Sequence, residues 1–162
     1  NSGLKGKKTV AVFTYWLSDF SSDKELYFAY GSNMNRPQMN FRCKSSSAVA
    51  IAKLPNWKFL INSRGVATLV PKNGKVAYGV VWAISRDNEK SLDYYEGVRE
   101  KVYSKSEVEI LIGEKKISTL IYIAEDQSPG VPRKGYLETV IEGAKSFNAH
   151  QEWLAELKSW AN

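Results

Sequence analysis

Tyr30-Gly31-Ser32-Asn33 is the first stretch of this 162-residue chain that could hold a ligand. The apolar run Leu26–Tyr30 ahead of it reads as a strand, and Asn35-Arg36-Pro37 behind it reads as a helix start. A glycine turn between strand and helix points successive backbone N–H groups outward, and the helix N-terminus adds partial positive charge. Such a loop can bind a carboxylate, or an oxyanion that develops during a reaction. An ordinary strand-to-helix turn has the same composition, so the loop alone does not decide between the two.

Glu96, in Leu92-Asp-Tyr-Tyr-Glu-Gly-Val98, is the second candidate. It falls at the end of a short predicted helix, where the macrodipole is negative and opposes a carboxylate. With flanking aromatics, that placement predicts a raised pKa, which suits a general base working near neutrality. Most glutamates in a last helical turn are simply solvated, and Asp93 is a weaker alternative carboxylate. Tyr103, Tyr122 and Tyr136 form a third set, each offering an O–H donor beside a predicted element, with core packing as the plainer reading. Ser32 lacks the G-x-S-x-G setting of a nucleophilic serine.

Composition narrows the chemistry further. The chain has one His, His150, and one Cys, Cys43. This leaves too few ligands for a His/Cys zinc site and no internal disulfide. Any Ser-His-Asp or Cys-His hydrolase would depend on His150, which reads as a helix cap. Acid/base work by a carboxylate, with backbone N–H groups opposite it, is what remains. The net charge of +6 is uneven. Leu26 to Arg86 carries nine basic residues and no acidic one, whereas ten basic and fourteen acidic residues follow. A solvated surface explains this, and so does a field that attracts small anions or nucleic acid.

The elements that must position these residues follow from periodicity and turn signals. A short helix is expected to about Cys43. Ala48–Asn62 reads as a strand broken at Pro55, and Gly65–Val70 as another. Asn73-Gly74 predicts a type I′ hairpin between Thr68–Lys72 and Lys75–Ile84. Ser85-Arg-Asp-Asn opens a helix to about Glu96, with Gly97 at the C-cap glycine position. Strands Ser106–Ile112 and Lys116–Ile123 flank Gly113-Glu114, and Ser128–Pro132 is a loop. Arg133–Phe147 and Gln151–Trp160 carry apolar residues at helical spacing. The order implies an α+β fold with a mostly antiparallel sheet, curled or closed. No apolar run approaches the ~20 residues of a membrane span. Lys5, Lys7 and Lys8 before Val10–Leu17 have the outline of a signal peptide, but no small-residue cleavage site follows. Residues 1–25 are expected to be an N-terminal extension able to add a strand, and residues 26–162 the domain.

Taken in order, Tyr27-Phe-Ala-Tyr-Gly-Ser-Asn-Met34, Gly65-Val-Ala-Thr-Leu69, Tyr78-Gly-Val-Val-Trp82 and Ser91-Leu-Asp-Tyr-Tyr-Glu-Gly-Val98 resemble the γ-glutamyl cyclotransferase family. Tyr103, Tyr122, Tyr136 and Gly143-Ala144 continue the match, which covers about Leu26 to Trp160. The resemblance implies a small mixed, mostly antiparallel β-barrel with flanking helices. It also implies an enzyme whose substrate attacks itself. The α-amine of a γ-glutamyl compound displaces the γ-amide, giving 5-oxoproline and a free amino acid or amine. By the same resemblance Glu96 is the proton acceptor. Tyr27, Phe28, Ala29, Tyr30, Gly31, Ser32 and Asn33 form the substrate loop, Tyr136 closes on the substrate, and Tyr103 and Tyr122 line the pocket.

No cofactor or metal is expected. The expected partner is a small γ-glutamyl substrate, with no nucleic acid and no membrane, in the cytoplasm, and with homodimerisation left open. Two rival readings remain at this point. One is a γ-glutamylamine cyclotransferase with a larger leaving amine; the other is a non-catalytic module that binds small anions on the same fold. A nucleic-acid binder is a third, and its affinity would fall steeply with salt.

Overall fold

The computed structural model describes residues 24–161. Five strands close into a barrel in the order β1-β3-β2-β4-β5. They are β1 (Lys24–Ala29), β2 (Ser47–Ile61), β3 (Ala67–Ser85), β4 (Tyr103–Ile112) and β5 (Lys115–Ala124). Four helices flank the barrel: α1 (Arg36–Arg42), α2 (Arg86–Tyr95), α3 (Tyr136–Ser146) and α4 (Gln151–Lys158). All pairings are antiparallel except the seam, where β1 meets β5 in parallel at Tyr27 and Leu120. The α+β expectation and the mixed, mostly antiparallel barrel are both met. Closure pairs the strand edges and leaves one apolar interior. Phe28, Leu69, Val80, Val81, Ile110 and Ile121, on the barrel strands, are each fully buried in the core.

Local signals in the sequence place the helices. Asn35 caps α1, its side chain accepting the Gln38 N–H, and Pro37 sits in the first turn. Ser85 caps α2 in a reciprocal capping box with Asn88. His150 caps α4 as expected, its Nδ1 accepting the Trp153 N–H at 3.2 Å. The β4–β5 hairpin turns at Gly113-Glu114, with Ile112 opposite Lys115. Among the described helices, none is long and apolar enough to cross a membrane.

Three expectations are corrected. Asn73-Gly74 is not a hairpin turn. Both halves of β3 pair with β2 instead, from Ile61↔Ala67 to Ser47↔Ala83. Pairing the halves with each other would leave the apolar residues of β2 uncovered. β2 shifts register between Pro55 and Trp57, so residues 72–75 bulge outward, and the Gly74 N–H donates to the Asn56 side chain. The hairpin turn lies at Asn62–Val66, where the Asn62 Oδ1 accepts the N–H groups of Arg64 and Val66. Secondly, α3 begins at Tyr136, not Arg133, because Gly135 takes a left-handed φ of 79°. Arg133 and Lys134 therefore sit in the approach to the helix. Thirdly, β1 begins at Lys24, so the last two residues of the expected extension belong to the barrel. The rest of that extension lies outside the described residues.

Helix α3 rests on the turn after β1 at Gly143. A Cβ there would stand 2.7 Å from the Asn35 nitrogen and 2.7 Å from the Met34 carbonyl carbon. Gly143→Ala is expected to push α3, and Tyr136 with it, off the Ser32–Met34 turn. Overpacking of this kind costs roughly 1–3 kcal/mol. Thermal unfolding of the variant would show a lowered Tm.

Candidate active site

One end of the barrel opens into a cavity of about 570 Å³, within the ~300–1,000 Å³ range of ligand pockets. The Tyr30–Asn33 turn forms one wall and the end of α2 forms the wall facing it. Tyr103 and Tyr122 from the β4–β5 pair and Tyr136 from α3 complete it. Glu96 is the one carboxylate among the described lining residues.

Glu96 is placed by the way α2 ends. It is the C-cap residue, and Gly97 follows with φ 62°, a conformation that favours glycine. The Gly97 N–H donates to the Tyr94 carbonyl and the Val98 N–H to the Asp93 carbonyl, the paired bonds of a Schellman stop. This stop turns the Glu96 side chain onto the cavity wall. Burial of the carboxyl pushes its pKa from 4.5 up to about 7, while Arg42 draws it back down. Burial, not the helix terminus invoked from the sequence, is the leading cause.

Facing Glu96, the Asn33 side chain is buried and fully engaged. Its Oδ1 accepts from Arg42 Nη1 at 3.1 Å and from Gln38 Nε2 at 2.9 Å. Its Nδ2 donates to the Tyr27 hydroxyl at 3.0 Å and to Glu96 Oε1 at 3.3 Å. Gln38 also donates to Ser32 Oγ at 2.6 Å. Arg42 lies over the Tyr95 ring, 4.6 Å from its centroid.

The Tyr136 hydroxyl reaches the other side of the turn. It accepts the Ala67 N–H at 3.0 Å, and a Cβ at Gly31 would stand 3.0 Å from it. A side chain at position 31 would press on that hydroxyl and on the Ala67 methyl, 3.1 Å away. Burial raises Tyr136 to about 12, with the Ala67 and Ser32 donors pulling it lower. Tyr103 donates to the Ala67 carbonyl at 2.7 Å, and Tyr30 donates to the Tyr122 carbonyl. Burial holds the hydroxyls of Tyr27, Tyr30, Tyr103 and Tyr122 well above the usual tyrosine range. These tyrosines are neutral donors, not bases.

The structure thus brings Glu96, Tyr27, Tyr30, Gly31, Ser32, Asn33, Tyr103, Tyr122 and Tyr136 to one cavity. Phe28 and Ala29 do not line it. Phe28 packs over Gly79 in the barrel core, and the Ala29 carbonyl lies against the same glycine. Asp93, the weaker alternative, points away from the cavity to Lys105 and accepts the Tyr122 hydroxyl at 2.6 Å. Cys43 is buried with its thiol pushed up to about 11, which leaves it unreactive at neutral pH.

Sequence reading missed Gln38, Arg42, Arg64, Arg133 and Lys134, all of which line the cavity. Helical spacing could have flagged Gln38 and Arg42, four apart on α1. The others come together only through tertiary pairing. The basic stretch does not form one patch. Lys58 and Lys75 border a separate groove with Glu156, and Arg36 covers the Phe147 ring. Among the described residues there is no cluster of His, Cys, Asp and Glu able to hold a metal.

The AIG2-like family profile matches residues 76–157. Gamma-glutamylcyclotransferases of Homo sapiens and Mus musculus are 31% and 30% identical to this chain over 145 residues, spanning 83% of it and 77% of each of them. A solved structure of a gamma-glutamyl cyclotransferase superposes with a TM-score of 0.80 at 30% identity, covering 86% of this chain and 90% of that one. The chain therefore belongs to the AIG2-like, gamma-glutamylcyclotransferase family.

The raised pKa of Glu96 has a consequence for stability. Its folded value of about 7 exceeds the unfolded 4.5, so the folded state holds the extra proton between these values. The stability this contributes is present below about pH 4.5 and is lost as pH rises through 7. Glu96→Gln should therefore be more stable than the parent by ~1–3 kcal/mol at pH 8 and equal to it near pH 4.5. Urea titrations at the two pH values would measure both.

Proposed function

We propose that this chain is a γ-glutamyl cyclotransferase, releasing 5-oxoproline and a free amino acid or amine from a small γ-glutamyl compound. The observation that carries this reading is the Glu96 carboxyl on the cavity wall opposite the Tyr30–Asn33 turn, linked to it by the Asn33 amide. The relatives bearing that activity in their names support it.

The substrate supplies its own nucleophile. Folded back in the cavity, its α-amine lies against the γ-carbonyl, and Glu96 takes a proton from the ammonium to free the lone pair. The new C–N bond closes the five-membered ring, and charge collects on the carbonyl oxygen. Donors of the Gly31–Asn33 turn and the neutral hydroxyl of Tyr136 are the groups we assign to that oxygen and to the α-carboxylate, while Tyr103, its proton held by the Ala67 carbonyl, walls the pocket. The old C–N bond then breaks as Glu96 returns its proton to the leaving nitrogen. The second proton of the former ammonium passes from the ring nitrogen to the freed amine, leaving the neutral amide N–H of 5-oxoproline. Tyr27 and Tyr122 shape the wall behind Asn33, their rings meeting edge-on at 5.7 Å. Holding an amine beside a carbonyl can contribute about 7–11 kcal/mol in favourable intramolecular systems. Proton transfer by a placed carboxylate adds roughly 10²–10⁴-fold. A carboxylate with a pKa near 7 is half ionised at neutrality, which suits a group that must both take and return a proton. The compartment we propose is the cytoplasm, supported by a fold whose sole cysteine is buried and unpaired.

Glu96→Gln should fold and lose about 10²–10⁴-fold in kcat. Release of 5-oxoproline from a panel of γ-glutamyl amino acids and γ-glutamylamines would read this out. The parent kcat/KM should rise with pH through about 7 as Glu96 ionises, and the variant should lack that limb. Near-full activity in the Gln variant would refute the assignment.

A further inference from the structure

The cavity has an excess of positive charge. Its described lining carries Arg42, Arg64, Arg133 and Lys134 against the single carboxylate of Glu96. The four cations fall into two groups. Arg42 is half-buried at the Glu96 end and committed to Asn33 and the Tyr95 ring. Arg64, Arg133 and Lys134 are exposed at the other end, beside Tyr103 and Tyr136.

Within the second group, Arg133 is held in place by the backbone. Arg133 Nε donates to the Arg64 carbonyl at 2.7 Å, and the Arg133 N–H donates to the Gly65 carbonyl at 3.0 Å. Gly65 has φ 83°, and a Cβ on it would stand 2.6 Å from Arg133 Cγ, so the side chain lies flat on the Asn62–Val66 turn. This fixes the guanidinium at the cavity mouth with its terminal N–H groups uncommitted. Asp126 lies near enough to Arg64 to feel its charge, but it is already engaged by Ser63 and Ser128. Among the described residues, none of the three cations forms an ion pair within 4.0 Å.

A γ-glutamyl amino acid brings two carboxylates: its own α-carboxylate, which the turn can satisfy, and that of the leaving amino acid. Three cations at the opposite end are more than the latter needs. They suit a leaving amino acid that carries a second carboxylate, because Arg and Lys bind a charged acceptor more strongly than a neutral one. We propose that Arg64, Arg133 and Lys134 form a specificity rim for a leaving group with a carboxylate on its side chain, so that γ-glutamyl conjugates of acidic amino acids are preferred over their isosteric amides. The inference rests on the cyclotransferase reading and narrows its substrate class. An uncharged amine leaves the rim without a partner.

γ-Glutamyl-glutamate and γ-glutamyl-glutamine differ by one charge at equal size, so the ratio of their kcat/KM values isolates the rim. In the parent protein at low salt the ratio should favour the glutamate conjugate by roughly fivefold or more, and 0.5 M NaCl should shrink it. Arg133→Gln with Lys134→Gln should bring the ratio close to one, whereas Arg133→Lys with Lys134→Arg should keep it. A general loss of folding would depress both substrates together and leave the ratio unmoved. A parent ratio at or below one, or a ratio unchanged in the double Gln variant, overturns the rim while leaving the cyclotransferase reading intact. Absence of 5-oxoproline from both conjugates and from γ-glutamyl-alanine overturns both.

Discussion

The buried amide of Asn33 joins the parts of the molecule that would otherwise meet only loosely. Arg42 and the Gln38 amide nitrogen can only donate, so they fix which end of the Asn33 amide carries oxygen. The nitrogen end is then forced toward Tyr27 on the barrel seam and Glu96 at the end of α2. One side chain thus ties the turn after β1, helix α1, the seam strand and the α2 terminus into a single network. A buried amide left half satisfied would cost about 1–3 kcal/mol, so the network tends to be whole or broken. That couples the position of Glu96 to the fold itself.

The electrostatics follow from the same arrangement. A carboxyl pressed into an aromatic wall is driven toward neutrality, and a guanidinium one residue beyond its hydrogen-bonding partner draws it back. The tyrosines around it have the opposite character. Burial keeps them protonated, so the wall does not compete for the substrate proton. The cavity therefore has one proton-exchanging group set among fixed donors and cations.

What the sequence revealed depended on range. Ser85 with Asn88, Gly97 after Glu96, and Asn35 ahead of Pro37 are local signals, and the structure keeps all of them. Asn73-Gly74 is also a strong local signal, yet pairing with β2 overrides it, because burying two strands outweighs closing one turn. Glu96 and the tyrosines were legible through ordered motifs. Arg64 and Arg133 were not, since they are 69 residues apart in the chain and meet only after the Asn62–Val66 turn and the approach to α3 pack together. Phe28 and Ala29 were read too widely: a contiguous motif includes strand residues that pack against Gly79 rather than against the cavity.

The barrel closes through one short parallel contact between Tyr27 and Leu120, reinforced by the Tyr30 hydroxyl on the Tyr122 carbonyl, 92 residues away. Contacts of that range form late, because a long loop must be ordered before they repay it. As the chain emerges during synthesis, the turn and Glu96 are complete long before β5 exists. The cavity wall that β5 supplies can only follow. A nascent chain that stalls before β5 therefore holds the proposed proton carrier and the ligand turn, yet encloses no pocket. Assembly of the cavity becomes a report that the last strand and the helix after it have both docked.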